Sequence, residues 1–175
     1  MNDDASLRLI EPTPKYKKQY IDMIEDWKKS GEKMVPYVLK FEYDDFEALV
    51  NRLFDIRDLP FEDEKVVSSS TYWLVNQDDK ILGVVNIRHQ LNDSLLEIGG
   101  HIGYGIRPSE RKKGYATELL KLALLKAKDL GITKALLTCD KDNLGSSKTI
   151  TKNGGILASE DIVGGVEIQR YWIQI

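Results

Sequence analysis

The chain has 175 residues, of which 42% are hydrophobic and 30% charged, and its formal net charge is −3 at pH 7. This composition is typical of a globular domain, and the acidic balance argues against a nucleic-acid-binding protein, which normally presents a basic surface. The balance fits a positively charged small partner better. One cysteine, Cys139, excludes an internal disulfide and a cysteine-based zinc cluster. The two histidines have no ligand-like spacing, so we expect no metal.

The start of the chain and its apolar runs predict where the protein works. Residues 1–9 carry acids and no long apolar run, so they do not resemble a secretory signal. No window approaches the roughly 18 apolar residues of a membrane-spanning helix. Together with a length typical of one folding unit, these observations predict a single cytoplasmic domain over residues 1–175 without a membrane partner.

The first seventy residues predict one strand followed by two helices. Residues 6–11 alternate as in a strand and end at two prolines. From Pro14 onward apolar side chains recur at helical spacing, and Gly31 ends this helix. A second helix is predicted over residues 43–59, with Asp44 and Asp45 suited to its first turn. The polar segment 60–70 is predicted to be irregular.

The period then changes to that of strands. A hairpin is predicted from residues 71–75 and 81–87, and a third strand over residues 95–107, which contains four glycines. Glycine in a strand often marks a bulge or the close approach of a ligand or another backbone. The remaining pattern predicts a helix, a strand, a helix and a terminal hairpin: residues 116–130, 134–139, 144–153, 156–163 and 166–175. The order β-α-α-β-β-β-α-β-α-β-β predicts a mixed sheet with helices on its faces.

The turn before the long helix carries the most informative local motif, Arg111-Lys-Lys-Gly-Tyr-Ala116. A glycine turn that opens a helix presents free backbone N–H groups, and the helix dipole adds positive potential there. Such an end binds phosphate, so the turn predicts a site for a pyrophosphate-carrying cofactor. Taken alone the motif also fits a solvated basic turn, and its context decides between the two.

With its context, the chain resembles the GCN5-related N-acetyltransferase (GNAT) superfamily, and within it a bacterial subgroup of predicted acetyltransferases. Two motifs in the right order carry the resemblance: segment 104–117, with its proline and Arg-x-x-Gly-x-Ala signature, and Asn143-x-x-Ser146 followed by Lys152-x-Gly154. The resemblance implies an α/β (α+β) fold with a mixed, mostly antiparallel central sheet of roughly six to seven strands, splayed central strands and about four helices. It also implies an N-acetyltransferase that moves an acetyl group from acetyl-CoA to a primary amine by direct attack in a ternary complex.

The resemblance assigns residues to acetyl-CoA. The backbone of the turn would hold the pyrophosphate while Arg111 braces the turn, and free backbone groups at 104–106 would pair with the pantetheine arm. Polar residues at the start of the next helix would add contacts, although they equally suit a helix N-cap. The predicted binding residues are Tyr104, Gly105, Ile106, Arg111, Lys112, Lys113, Gly114, Tyr115, Ala116, Thr117, Asn143, Ser146 and Ser147.

The catalytic groups are less determined. Many family members carry a tyrosine that protonates the departing sulfur, and the corresponding position here is Ile150. Tyr104 or Cys139 could substitute, and because a thiol of pKa about 8.5 leaves readily as thiolate, an acid is useful rather than compulsory. Glu97 and His101 are the candidate bases on the predicted glycine-rich strand. Alternatively, Glu97 is an exposed acid and His101 a structural histidine.

The residues that would bind the amine acceptor, on what we call the acceptor side, are the least clearly indicated by the sequence. In this superfamily the first two helices, their connection and the last hairpin shape the pocket, which here would take a small-molecule or peptide amine. Aromatic rings near acids attract an ammonium group, and the candidates are Tyr37, Glu42, Asp44, Asp45, Trp73 and Tyr171. The terminal hairpin often supports a homodimer in the superfamily, so that assembly stays open.

Two alternatives remain at this point. The missing tyrosine favours a non-catalytic acyl-CoA-binding sensor or interaction module on the same fold. A nucleotide-binding α/β protein is more distant, because the chain lacks the Gly-x-Gly-x-x-Gly spacing.

Overall fold

The computed structural model describes residues 6–60 and 66–175 and confirms the predicted order of strands and main helices. The strands are β1 (Arg8–Ile10), β2 (Ser69–Val75), β3 (Ile81–Arg88), β4 (Ile102–Ile106), β5 (Lys134–Asp140), β6 (Ile156–Val163) and β7 (Val166–Gln174). The α-helices are α1 (Lys17–Ser30), α2 (Phe46–Arg57), α3 (Asp93–Glu97), α4 (Tyr115–Asp129) and α5 (Leu144–Lys152). Short 3₁₀ turns cover Pro14–Tyr16, Tyr37–Lys40 and Pro108–Glu110.

The strands form two antiparallel sheets, with the orders β1-β2-β3-β4 and β5-β7-β6. Strands β4 and β5 follow one another through α4, and no ladder joins them in the part of the chain that the structure describes. They meet near their first residues, where His101 N–H donates to Leu136 O at 2.8 Å and Gly99 N–H donates to Thr138 Oγ1 at 2.8 Å. We call this contact between the first residues of β4 and β5 the seam. Beyond the seam the two strands are splayed, as the family resemblance implied.

The hydrophobic core lies on both faces of the first sheet. On β2 and β3 neighbouring residues point to opposite faces, so Trp73 and Val84 pack under α1 and α2 while Leu74 and Val85 pack under α4. Each face buries a separate cluster of apolar side chains. The first sheet is therefore the middle layer of a helix–sheet–helix arrangement.

The helix ends follow from local sequence. Asp45 caps α2, because its carboxylate accepts a hydrogen bond from Ala48 N–H at 3.0 Å, and α1 ends at Gly31 in the left-handed region. Asn143 caps α5 by accepting from Ser146 N–H at 3.1 Å. These caps fix where both helices begin.

The strand predicted over residues 95–107 is wrong in its first half. The Asn92 side chain accepts from Leu95 N–H at 2.9 Å and caps α3, which takes in Glu97. Gly99 and Gly100 then form a turn with φ values of 109° and 63°, and only Ile102–Ile106 is a strand. The Asn-Asp-Ser start of α3 is a helix N-terminal signal that outweighs the strand-like pattern around it.

The segment predicted to be irregular, 60–70, falls partly outside the described residues, and its last two residues belong to β2. Within the described residues, no helix is long and apolar enough to cross a bilayer.

Candidate active site

A cavity of about 590 Å³ opens between β4, the turn that follows it, the start of α4 and α5. Eleven of the thirteen predicted binding residues line it: Tyr104, Gly105, Ile106, Arg111, Lys112, Gly114, Tyr115, Ala116, Thr117, Asn143 and Ser146. Lys113 and Ser147 do not. The Lys113 ammonium pairs with Glu110 at 2.7 Å, and the Ser147 hydroxyl donates to Leu144 O at 3.1 Å.

The backbone of β4 directs polar groups towards the splayed side, where, among the described residues, only the Ile106 carbonyl has a partner, the Arg111 side chain. Arg88 N–H donates to His101 O and Arg107 N–H donates to Leu82 O, at the two ends of the β3–β4 ladder. Because hydrogen bonding alternates along an antiparallel pair, the N–H and C=O groups of Tyr104 and Ile106 point away from β3. The edge of β4 can therefore pair with an extended, amide-containing ligand.

Of the causes that the sequence left open for the glycines of β4, the structure shows the close approach of another backbone at Gly105. A Cβ on Gly105 would lie 2.2 Å from Val35 O, and one on Gly103 would lie 3.4 Å from Pro36 Cβ. These contacts come from the segment between α1 and α2, which lies against β4. At Gly105 it is thus protein backbone that excludes a side chain.

The turn before α4 is shaped for an anion. Lys112 and Gly114 have φ values of 63° and 83°, and Gly114 caps α4 without any side-chain hydrogen bond to the helix N-terminus. The intrahelical pattern leaves the first N–H groups without helix partners, so those of Tyr115, Ala116 and Thr117 face the cavity end of the helix. A Cβ on Gly114 would meet nothing within 4 Å, so its left-handed backbone, not crowding, selects glycine here.

Charged side chains hold this turn in place. Arg111 Nε donates to Ile106 O at 3.1 Å, and its guanidinium also binds the Glu32 carboxylate. Glu110 binds Lys113 and, at 2.5 Å, Lys80. Burial opposes ionisation of Glu110, but the two ammonium groups lower its pKa below the ordinary value. Arg111 therefore links the turn to the end of β4 and to Glu32.

Tyr104 reaches across the splayed gap. Its hydroxyl lies 3.0 Å from Ser146 Oγ on α5. Burial raises the pKa of Tyr104 to about 12, although the hydrogen bond with Ser146 opposes that shift. Burial also raises the pKa of the Cys139 thiol, and a nearby Asp140 adds to the effect. Both groups are therefore protonated at neutral pH.

The other two catalytic candidates do not line the cavity. Leu136 N–H donates to His101 Nδ1 at 2.9 Å, so the proton of the neutral ring sits on Nε2. Burial, together with the Arg88 charge, lowers the pKa of His101 to about 4. Glu97 is exposed at the end of α3. The catalytic roles of both residues stay predictions.

The six acceptor-side candidates do not converge. Trp73 is fully buried under α1 and α2, whereas Tyr171 is buried on the α4 side of the core. Asp45 is a helix cap, and Glu42 and Asp44 are exposed. Tyr37, in the segment between α1 and α2, is partly exposed and stacks on the Arg88 guanidinium.

Several contributors to the site are not among the predicted site residues. Arg107 is buried and ties the end of β4 to α1 through Asp22 at 2.9 Å and Asp26 at 3.0 Å. The cavity lining also includes Glu32, Lys33, Val35, Glu110, Gly145, Lys148, Thr149 and Lys152. The spacing of Lys148 and Lys152 on one face of α5 was a usable signal, because residues four apart are neighbours on a helix.

The described residues hold no group of three or more histidine, cysteine or acidic side chains arranged for a metal ion. Ile150, at the usual position of the tyrosine, is fully buried in the core.

Solved structures with the same fold include enzymes bound to coenzyme A. The microcin self-immunity acetyltransferase MccE, in complex with acetyl-CoA and AMP, has 20% identity and a TM-score of 0.67, over 100% of this chain and 96% of its own. The ribosomal-protein α-N-acetyltransferase RimL, in complex with coenzyme A, has 14% identity and a TM-score of 0.69, over 97% and 94%. The spermidine/spermine N-acetyltransferase SpeG from Vibrio cholerae, in complex with manganese ions, has 14% identity and a TM-score of 0.64, over 98% and 94%. At these identities the likeness shows the fold.

No curated protein matches the chain by sequence. The family described as the acetyltransferase (GNAT) domain matches residues 7–156. That span includes the splayed strands, the turn before α4 and the start of α5. The chain therefore belongs to the GNAT acetyltransferase family.

Proposed function

We propose that this protein is an N-acetyltransferase that transfers the acetyl group of acetyl-CoA to an amine by direct attack in a ternary complex. The observation that carries the proposal is the uncapped N-terminus of α4, which opens onto a cavity of about 590 Å³ beside the free edge of β4. A pyrophosphate fits the first feature, and an extended pantetheine arm fits the second. The predicted binding residues that line the cavity would make both sets of contacts.

The chain's own groups would supply orientation and charge stabilisation. The N–H of Ile106 faces the splayed side and would stabilise the oxyanion that forms when the amine attacks the thioester carbon. The Ile106 carbonyl already accepts from Arg111, which fixes the peptide plane at this position. Acetyl-CoA supplies the activated acyl group, and holding both substrates together supplies proximity.

Tyr104 is the group that we propose as proton donor to the leaving thiolate. Tyr104 lines the cavity, and its hydroxyl is protonated at neutral pH and lies 3.0 Å from Ser146 Oγ. It would replace the hydroxyl that is missing at Ile150. Water would accept the proton from the amine, since His101 Nδ1 is already an acceptor for Leu136 N–H.

The test is acetyl-CoA binding followed by thiol release. Titration calorimetry with acetyl-CoA should give saturable binding, and incubation with amino acids, polyamines, aminoglycosides, peptide N-termini and protein lysines should release free thiol with at least one class. Binding without turnover on any class would support the alternative, an acyl-CoA-binding sensor on the same fold, which the isoleucine at position 150 favours. Failure to bind CoA would refute both.

The cytoplasmic location, the single-domain organisation and the homodimer also stay proposals. Size-exclusion chromatography with light scattering tests the assembly.

A further inference from the structure

Arg88 is a cation on the acceptor side of β4 that no catalytic or cosubstrate role uses. It is the last residue of β3 and lies on the face covered by the segment between α1 and α2. Its Nη1 donates to Gly99 O at 3.0 Å and to Gly100 O at 3.2 Å. Its Nη2 lies 3.4 Å from the point that a Cβ on Gly103 would occupy. Nη1 is therefore fixed by the two glycine carbonyls, whereas Nη2 lies next to Gly103 of β4.

The Arg88 guanidinium has no acidic partner among the residues that the structure describes. Among the residues that the structure describes, no carboxylate lies within 4.0 Å of its nitrogens. Its neighbours are two backbone carbonyls, the neutral His101 ring and the Tyr37 ring, whose centroid is 5.7 Å from the guanidinium carbon. Burial lowers the pKa of Arg88, while Tyr37 opposes this, and an arginine stays charged in either case. A partly buried cation without a counter-ion favours binding of an anion.

The other arginines nearby differ in this respect. Arg107, Arg111 and Arg170 all bind carboxylates, of Asp22, Glu32 and Asp161 respectively. Over residues 6–60 and 66–175 the fold therefore provides acidic partners for these three arginines and none for Arg88.

Arg88 lies close to the segment of β4 that lines the cavity. Gly103 precedes Tyr104, whose backbone faces the splayed side, and Gly105 and Val35 line the cavity two residues further along. A strand advances about 3.3 Å per residue, so Arg88 lies roughly 3 to 10 Å along β4 from the segment 104–106. That span matches an amine nitrogen near the cavity and an anionic group on the same molecule beside Arg88.

We propose that Arg88 binds a carboxylate of the acceptor, so that the substrate is an amine carrying a carboxylate a few ångströms from its nitrogen. The inference rests on the proposed acetyl transfer and names its substrate class. Two sources share this chemistry: the α-carboxylate of a free amino acid and an acidic side chain at a peptide N-terminus. The inference adds a carboxylate contact to the ammonium contacts that the sequence suggested for the acceptor.

The experiment compares matched acceptors that differ in one carboxylate. The pairs are phenylalanine against phenethylamine, and aspartyl-phenylalanine amide against asparaginyl-phenylalanine amide. Binding to the CoA-saturated protein is measured by calorimetry, and acetyl transfer by kcat/KM. The variant Arg88→Gln removes the charge and keeps a donor for the two glycine carbonyls. Arg88→Lys keeps the charge, and Arg52→Gln removes the charge of an arginine that stacks on Phe41.

We expect the wild-type protein to favour the carboxylate member of at least one pair by about tenfold or more, as for a hydrogen bond between charged groups. Arg88→Gln should reduce the preference to about twofold or less, while Arg88→Lys retains part of it and Arg52→Gln all of it. The pair that shows the preference identifies the source of the carboxylate.

No preference in either pair, or a preference that survives Arg88→Gln, overturns the assignment. The wild-type comparison decides this even where a variant does not fold. Failure of the proposed function would look different, because the protein would then either not bind CoA or bind it and release no thiol with any class of amine.

Discussion

The two sides of β4 are built from different kinds of chain. On the α4 side, the cavity lining comes mainly from three short segments, 104–106, 110–117 and 143–152, and much of it is backbone. On the opposite side, Pro36, Arg88 and Gly103 come from segments far apart in the sequence, and the contacts there include the side chains of Pro36 and Arg88. Backbone geometry set by a local motif can be predicted from sequence, whereas a site assembled from single distant side chains cannot.

The largest expected effect comes from breaking the α4 side. Gly114→Glu places a carboxylate at the uncapped helix N-terminus, where it would compete with a pyrophosphate for the same N–H groups. We expect CoA affinity to fall on the order of a thousandfold, about 4 kcal/mol, in a calorimetric titration.

Gly131→Glu is the matched control for this change. Gly131 has φ 86°, close to the 83° of Gly114, and neither position offers contacts within 4 Å to a Cβ. Both variants thus carry the same left-handed strain of about 1–2 kcal/mol, at opposite ends of α4. Equal CoA affinity in the two variants would remove the turn from the binding site.

Much of the fold was predictable because its signals are local. Pro14 and Gly31 bound the first helix, Asp45 caps the second, and Gly164-Gly165 turns the last hairpin. The exception is α3, because the local signal of its Asn92 cap competes with the strand-like pattern of the residues around it. Those glycines permit the turn that leads into β4.

The site was predictable to the same extent. Eleven of the thirteen predicted binding residues line the cavity because the turn and the α5 cap are set by adjacent residues. For the side chains of Lys112 and Lys113 the sequence left open whether they bind phosphate or are simply solvated. In the structure the Lys113 ammonium pairs with Glu110. Arg88 belongs to no motif, and the role proposed for it depends on which side chains of the described residues surround it, which only the packed structure reveals.

A substitution at the seam between β4 and β5 should have the next largest effect, on the free energy of unfolding. A Cβ on Gly100 would lie 2.3 Å from Leu136 O, whereas one on Gly164, with a similar φ of 58°, meets nothing within 4 Å. We expect Gly100→Ala to lower the free energy of unfolding by about 3 kcal/mol and Gly164→Ala by about 1 kcal/mol. Urea unfolding measures both, and equal losses would mean that the seam relaxes without cost.

The same seam should respond to pH through His101. Its pKa in the folded protein is about 4, below the ordinary 6.5, so the stabilisation is present above pH 6.5 and is lost as the pH falls towards 4. Between pH 7 and pH 5 this residue should remove about 2 kcal/mol of stability, because a proton on Nδ1 would face Leu136 N–H.

Urea midpoints of the wild type and His101→Gln across that range measure the effect. His89→Gln serves as the control, since burial also lowers the pKa of His89, though its ring bonds serine hydroxyls that can reorient. Parallel curves for the wild type and His101→Gln would show that the seam does not depend on the neutral ring.

The smallest expected effect separates chemistry from binding on the α4 side. Tyr104→Phe removes the proposed proton donor, and kcat should fall about tenfold, equivalent to about 1.4 kcal/mol, while the affinity for CoA stays within about twofold. Because the pKa of Tyr104 is raised to about 12, the hydroxyl stays protonated well above neutral pH, so the wild-type kcat should show no decline from this group up to about pH 10.

Tyr171→Phe is the control, as this buried hydroxyl donates to Gln169 at 2.8 Å and does not line the cavity. If both variants lose the same rate, or if Tyr104→Phe acts through CoA affinity, Tyr104 packs against the site without donating a proton, and the thiolate leaves unaided.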